Sequence, residues 1–79
     1  MKVTLKFFAS VREIVGARTE VVDIAPGATV ASVWAGYVER FPRLGKMGLG
    51  YAVNHEYCQP DHLLKDGDEL AIIPPVSGG

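Results

Sequence analysis

The chain predicts an α+β fold, a mixed sheet of about five strands with one main helix packed across it. Apolar and polar residues alternate from Lys2 to Phe7, a helical apolar stripe runs from Val30 to Phe41, and short β-branched runs bounded by turn residues flank both. A lone helical stripe must bury itself against the one large apolar surface that so short a chain can build, which is a sheet face.

Val3, Leu5 and Phe7 alternate with Lys2, Thr4 and Lys6, so one side of the first strand faces a core. Phe8 then falls on the lysine and threonine side. A large aromatic there is at the strand end, folded back, or part of a binding surface. Ala9 to Gly16 reads as a turn or short helical piece, with Ser10 as its cap and Gly16 as its stop. Arg18 to Ile24 is rich in β-branched residues and runs into Ala25-Pro26-Gly27, a second strand ended by a turn.

Thr29 is placed to cap a helix. Val30, Val33, Trp34, Tyr37, Val38 and Phe41 follow on a single helical face, so Trp34 and Tyr37 are core residues. Pro42 ends the helix, because it pushes residue 41 out of the α region. Arg43 to Gly50, with glycines at 45, 48 and 50, reads as a flexible connection. Gly50 to Val53 is a strand, Asn54-His55 a turn, and Glu56 to Cys58 a returning edge strand. Pro60 to Leu64 is a turn or single helical turn, Lys65-Asp66-Gly67-Asp68 a tight turn, and Glu69 to Ile73 the last strand. Pro74 and Pro75 have no N–H to donate and end any ladder. The order resembles that of a β-grasp, the ubiquitin-like roll, with 1–73 as the domain and 74–79 as a flexible tail.

The tail is the chemically suggestive part. It reads Pro74-Pro75-Val76-Ser77-Gly78-Gly79, and core packing asks for no glycine pair at a chain end. Glycines slide through a channel too narrow for a Cβ and present a carboxylate at a buried site elsewhere. The two prolines favour a stiff, extended start, and the four residues beyond them reach roughly 12 to 14 Å when extended.

Composition narrows the partners. At 79 residues the chain is one small domain near the size at which a single core barely suffices. A formal net charge of −1 supplies no electrostatic footprint for nucleic acid or an anionic membrane. Lys6, Arg12 and Glu13 interrupt the apolar start before it reaches signal-peptide length, and no stretch approaches the ~20 apolar residues of a membrane span. The chain therefore reads as soluble and complete from Met1 to Gly79. Its one cysteine forms no internal disulfide, and a reducing cytoplasm is the expected home. His55 and His62 make no metal-spaced cluster, Asp66, Asp68 and Glu69 suit a turn around Gly67, and Cys58 suits a small apolar filler. No metal site is expected.

Lys6-Phe7-Phe8-Ala9-Ser10-Val11-Arg12-Glu13, Ala52-Val53-Asn54, and Asp66-Gly67-Asp68-Glu69 leading to Pro74-Pro75-Val76-Ser77-Gly78-Gly79 together resemble the small, sulfur-carrier subunits of molybdopterin synthase, across the whole chain. The resemblance implies that a ubiquitin-activating-type enzyme uses ATP to adenylate the Gly79 carboxylate, and that a sulfur donor then replaces AMP to leave a thiocarboxylate. It further implies that the large subunit of molybdopterin synthase receives the tail, and that sulfur passes to cyclic pyranopterin monophosphate to build a dithiolene, in a heterotetramer. No cofactor is held permanently. By position in the matching pattern, Phe8, Arg12, Tyr57 and Ile73 fall on the partner-facing surface, with Gly79 and Gly78 as the reacting end. The carrier itself has no general base or activated nucleophile, so its partners must supply catalysis. Three alternatives stay open: a thiamine-pathway sulfur carrier, a ubiquitin-like protein modifier, and an interaction module whose tail is irrelevant.

Overall fold

The computed structural model describes residues 1–75. Along the chain run β1 (Lys2–Phe7), α1 (Ala9–Val15), β2 (Thr19–Asp23), α2 (Val30–Arg40), a 3-10 helix (Pro42–Lys46), β3 (Gly50–Val53), β4 (Glu56–Cys58) and β5 (Glu69–Ile73). The strands form one sheet in the order β2-β1-β5-β3-β4. β1 and β5 lie parallel at its centre, and the other neighbours are antiparallel. A parallel pair cannot be joined by a hairpin, so the chain between β1 and β5 has to cross over, and α2 lies on that crossover.

Alternation decides which face α2 covers. Val3, Leu5 and Phe7 of β1 and Leu70 and Ile72 of β5 are buried, while Lys6, Glu69 and Ala71 keep partial exposure on the opposite face. Against the buried side α2 sets Val30, Trp34 and Tyr37, with the Phe7 ring 5.4 Å from that of Tyr37 and Trp34 stacked on Tyr37 at 5.2 Å. Leu5 is fully buried, and truncating such a side chain to alanine costs about 2–5 kcal/mol. The helix starts on a reciprocal cap. Ser32 N–H donates to Thr29 Oγ1 at 3.1 Å, and Thr29 N–H donates to Ser32 Oγ at 2.9 Å.

Two local expectations are corrected. Ser10 is not a cap: α1 begins at Ala9, and Phe8 holds the N-cap position with no side-chain hydrogen bond. The Phe8 carbonyl accepts from the N–H groups of Val11 and Arg12, so Ser10 already lies inside the first turn. At the start of α1 Ala9 takes a φ of 49°, a left-handed conformation that costs a residue with a Cβ roughly 1–2 kcal/mol. The stretch from Arg43 to Gly50 is not simply a connection, because a 3-10 helix opens on Pro42 and drives Leu44 into the core, 1% exposed. Proline suits a first helical turn, where its missing N–H is not needed.

Candidate functional site

The sheet face turned away from α2 carries a shallow hollow of about 250 Å³. Strand register builds it. Lys6 pairs with Ala71, Ala71 with Ala52, and Ala52 with Tyr57, so these four stand in one row across β1, β5, β3 and β4. The two alanines make a low floor. Tyr57 forms one wall and is 79% exposed; Phe8, just past the end of β1, is 44% exposed and lines the same hollow with Ile73. Large exposed aromatics around an alanine floor leave room for an apolar side chain from outside.

A charged rim closes the other side. Glu69 lies between Lys6 and His55, with Lys6 Nζ 3.3 Å from Oε2 and His55 Nε2 3.6 Å from Oε1. His55 reaches this position because Asn54 and His55 both adopt positive φ, 50° and 72°, the geometry of a tight two-residue hairpin turn. These side chains are engaged with one another, so the hollow offers a grip and an electrostatic bearing rather than a reacting group.

The structure thus brings Phe8, Tyr57 and Ile73 together from three separate parts of the chain. It does not bring Arg12 with them. Arg12 is exposed on α1, its backbone N–H 3.4 Å from the Phe8 carbonyl, and its side chain does not line the hollow. β5 ends at Ile73 on the hollow's margin, and Pro74 and Pro75 follow directly, half-buried and exposed in turn. Val76, Ser77, Gly78 and Gly79 lie outside the described residues. Lys6, Ala52, His55, Glu69 and Ala71 were not singled out for this site by sequence reasoning, because only pairing of distant strands makes them neighbours.

The remaining polar candidates find ordinary structural work. Asp66 Oδ1 accepts from the Lys2 N–H at 2.7 Å, and Asp68, 9% exposed, accepts from Asn54 Nδ2 at 2.9 Å and from the Lys65 N–H at 2.8 Å. Cys58 pairs with Tyr51 on the core side of the hairpin, facing away from Tyr57, and burial pushes its thiol pKa up. A thiol held protonated is a poor nucleophile.

A mixed five-stranded sheet with parallel central strands, one long helix across one face, and a last strand that runs into Pro74 and Pro75 beside the hollow defines a ubiquitin-like β-grasp protein. The chain belongs to the ThiS family, which it matches over residues 5–79. It is similar to the molybdopterin synthase sulfur carrier subunit of Chlamydomonas reinhardtii, 36% identical with both chains covered in full. Among solved structures it is similar to SAMP1 from Haloferax volcanii, with a TM-score of 0.84, 32% identity and all of both chains covered. It is also similar to a chain of the BexX/CysO complex of Amycolatopsis orientalis, with a TM-score of 0.70, 27% identity, 98% of this chain and 99% of that one. Among the described residues no helix is long and apolar enough to cross a membrane.

Proposed function

We propose that this chain is the sulfur carrier subunit of a molybdopterin synthase, with the Gly79 carboxylate as the group that carries sulfur. The observation that supports the reading most is the hollow formed by Phe8, Tyr57 and Ile73 at the margin from which β5 runs into Pro74. A partner gripping that hollow holds the root of the tail, and so aims whatever lies beyond it. The name of the Chlamydomonas relative, a sulfur carrier subunit, supports the same function.

The chemistry follows from the carboxylate. It is a poor electrophile with a poor leaving group, so an adenylating enzyme of the ubiquitin-activating type first joins it to the α-phosphorus of ATP and releases pyrophosphate. A sulfur donor then displaces AMP from the acyl carbon, leaving a thiocarboxylate. Inside the large synthase subunit its soft, nucleophilic sulfur is transferred to cyclic pyranopterin monophosphate, and two rounds build the dithiolene. ATP is used by the partner, and no cofactor stays on the carrier. These steps belong in the cytoplasm. Catalytic groups come from the partners, because the two fixed charges of the hollow, Lys6 and Glu69, are paired with each other.

Intact mass spectrometry after incubation with the adenylating enzyme, ATP and a sulfur donor tests the reading. The expected product is heavier by the exchange of one oxygen for one sulfur, located at Gly79 by fragmentation. Sulfur placed on a side chain, or undiminished dithiolene synthesis by a carrier lacking Gly79, overturns it.

A further inference from the structure

We infer that the outer edge of β2, together with the groove between β2 and α2, takes an extended segment of another protein as a sixth strand, with apolar side chains entering the groove and a carboxylate meeting Arg40. The site lies beyond β1 from the hollow described above, so both can be occupied at once.

The two edges of the sheet are not equivalent. β4 has only three residues, with Pro60 two positions further on, which blunts it against pairing. β2 has five residues, an unbroken five-pair register with β1, and no proline or bulge. Its ladder fixes which groups are free. Ile24 exchanges both backbone hydrogen bonds with Met1, at 2.7 and 3.2 Å, and the Arg18 carbonyl accepts from the Phe7 N–H at 2.9 Å. By the alternation of an antiparallel ladder, the N–H and C=O groups of Thr19, Val21 and Asp23 therefore point outward. Such groups recur every second residue, and only an extended chain satisfies them in sequence.

Beside this edge the groove, about 430 Å³, has Val22, Ile24 and Val33 among its apolar walls. Gly36 also lines it. Glycine weakens a helix interior relative to alanine, yet a Cβ at this position would meet nothing within 4 Å, so the chain's own packing does not require glycine there. The missing side chain keeps the groove open to a visitor. At the end near Glu20, Arg40 holds its guanidinium over the rings of Tyr37 and Phe41, 5.4 and 5.1 Å from their centroids, with no ion-pair carboxylate among the described residues. The nearby Glu20 carboxylate instead accepts the Tyr37 hydroxyl. Arg40 is thus a cation available to an acidic side chain on the groove side of an incoming strand.

Two capped peptides, Glu-Thr-Val-Thr-Val and its reverse, place a carboxylate and two valines on one face for either strand direction. Titrated into the full isotopically labelled chain, at least one is expected to shift the amides of Thr19, Val21 and Asp23 and of the groove side of α2. Arg40→Glu is expected to weaken that binding by up to roughly fivefold, the scale of an exposed ion pair. Gly36→Leu, which fills the groove while favouring the helix, is expected to abolish it with the amide spectrum otherwise retained. The inference is overturned by no shifts with either peptide at millimolar concentration, by shifts centred on the Phe8 and Tyr57 hollow, or by undiminished binding to Gly36→Leu. Movement of the β2 amides on simple dilution would also overturn it, since the occupant would then be a second copy of this chain.

Discussion

Asn54 and Asp68 tie the β3–β4 turn to the turn that launches β5. Asn54 Nδ2 donates to Asp68 Oδ1 at 2.9 Å, Asn54 Oδ1 accepts from the Glu69 N–H at 3.0 Å, and the Asn54 N–H donates to the Glu69 carbonyl at 2.9 Å. The pair therefore sets where Glu69 and His55 stand on the rim of the hollow, and where the strand bearing the tail begins. Buried hydrogen-bonded carboxylates are costly to orphan.

Asp68→Ala should destabilise the domain by about 1–3 kcal/mol, because the Asn54 amide and Lys65 N–H lose their acceptor. Thermal and denaturant unfolding measure it, and a double-mutant cycle with Asn54→Ala should return a coupling of more than roughly 0.5 kcal/mol. Additive effects would mean that the two turns are not linked through this contact.

Tyr57→Ala should leave stability within about 0.5 kcal/mol of the parent, since the side chain is largely in solvent. Affinity for the large synthase subunit should nevertheless fall at least roughly tenfold, the scale of a buried aromatic anchor at an interface. Phe8→Ala should behave alike, and Arg12→Ala should do much less, because Arg12 does not line the hollow. Calorimetric titration reads all three; equal losses from Arg12→Ala and Tyr57→Ala would refute this ordering.

Tyr37 should resist ionisation in the folded chain. Burial, the hydrogen bond to Glu20 and the negative charge of that carboxylate all hold its phenol well above the ordinary value of 10.0. The unfolded chain loses this proton first as pH rises through about 10, so the stabilising contribution is complete below that pH and declines above it, toward the raised folded value. Tyr37→Phe should flatten this alkaline loss and cost about 0.5–1.5 kcal/mol at neutral pH. An unchanged alkaline unfolding profile would contradict the assignment.

Cys58→Ser should load with sulfur at the parent rate. Burial keeps the thiol protonated, and the residue faces the core side of its hairpin. In the native parent, alkylation near neutral pH should be much slower than in denaturant. Loss of loading in the variant would restore a relay role to the thiol.

Much of the architecture is legible in the sequence. The alternation of Val3, Leu5 and Phe7, the stripe from Val30 to Phe41, the Thr29 cap and the stops at Pro42 and Pro74 all act within a few residues, so periodicity and turn chemistry suffice to read them. Phe8 could be marked as unusual for the same reason, since one residue of phase decides its side of the strand. Leu44 was hidden because a single apolar residue among glycines has no period to show.

By itself, then, the sequence determined the class of fold and the buried sides of β1 and α2. Tertiary structure alone decided that Phe8, Tyr57 and Ile73 share a hollow, that Arg12 stays outside it, that Asp68 is an inner bracket for Asn54, and that Gly36 and Arg40 flank an open sheet edge. The reason is the range of the forces that set each feature. Side-chain alternation is a property of one strand, whereas neighbours across a sheet depend on the parallel pairing of β1 with β5 and on the register of β3, contacts whose partners are far apart in the chain.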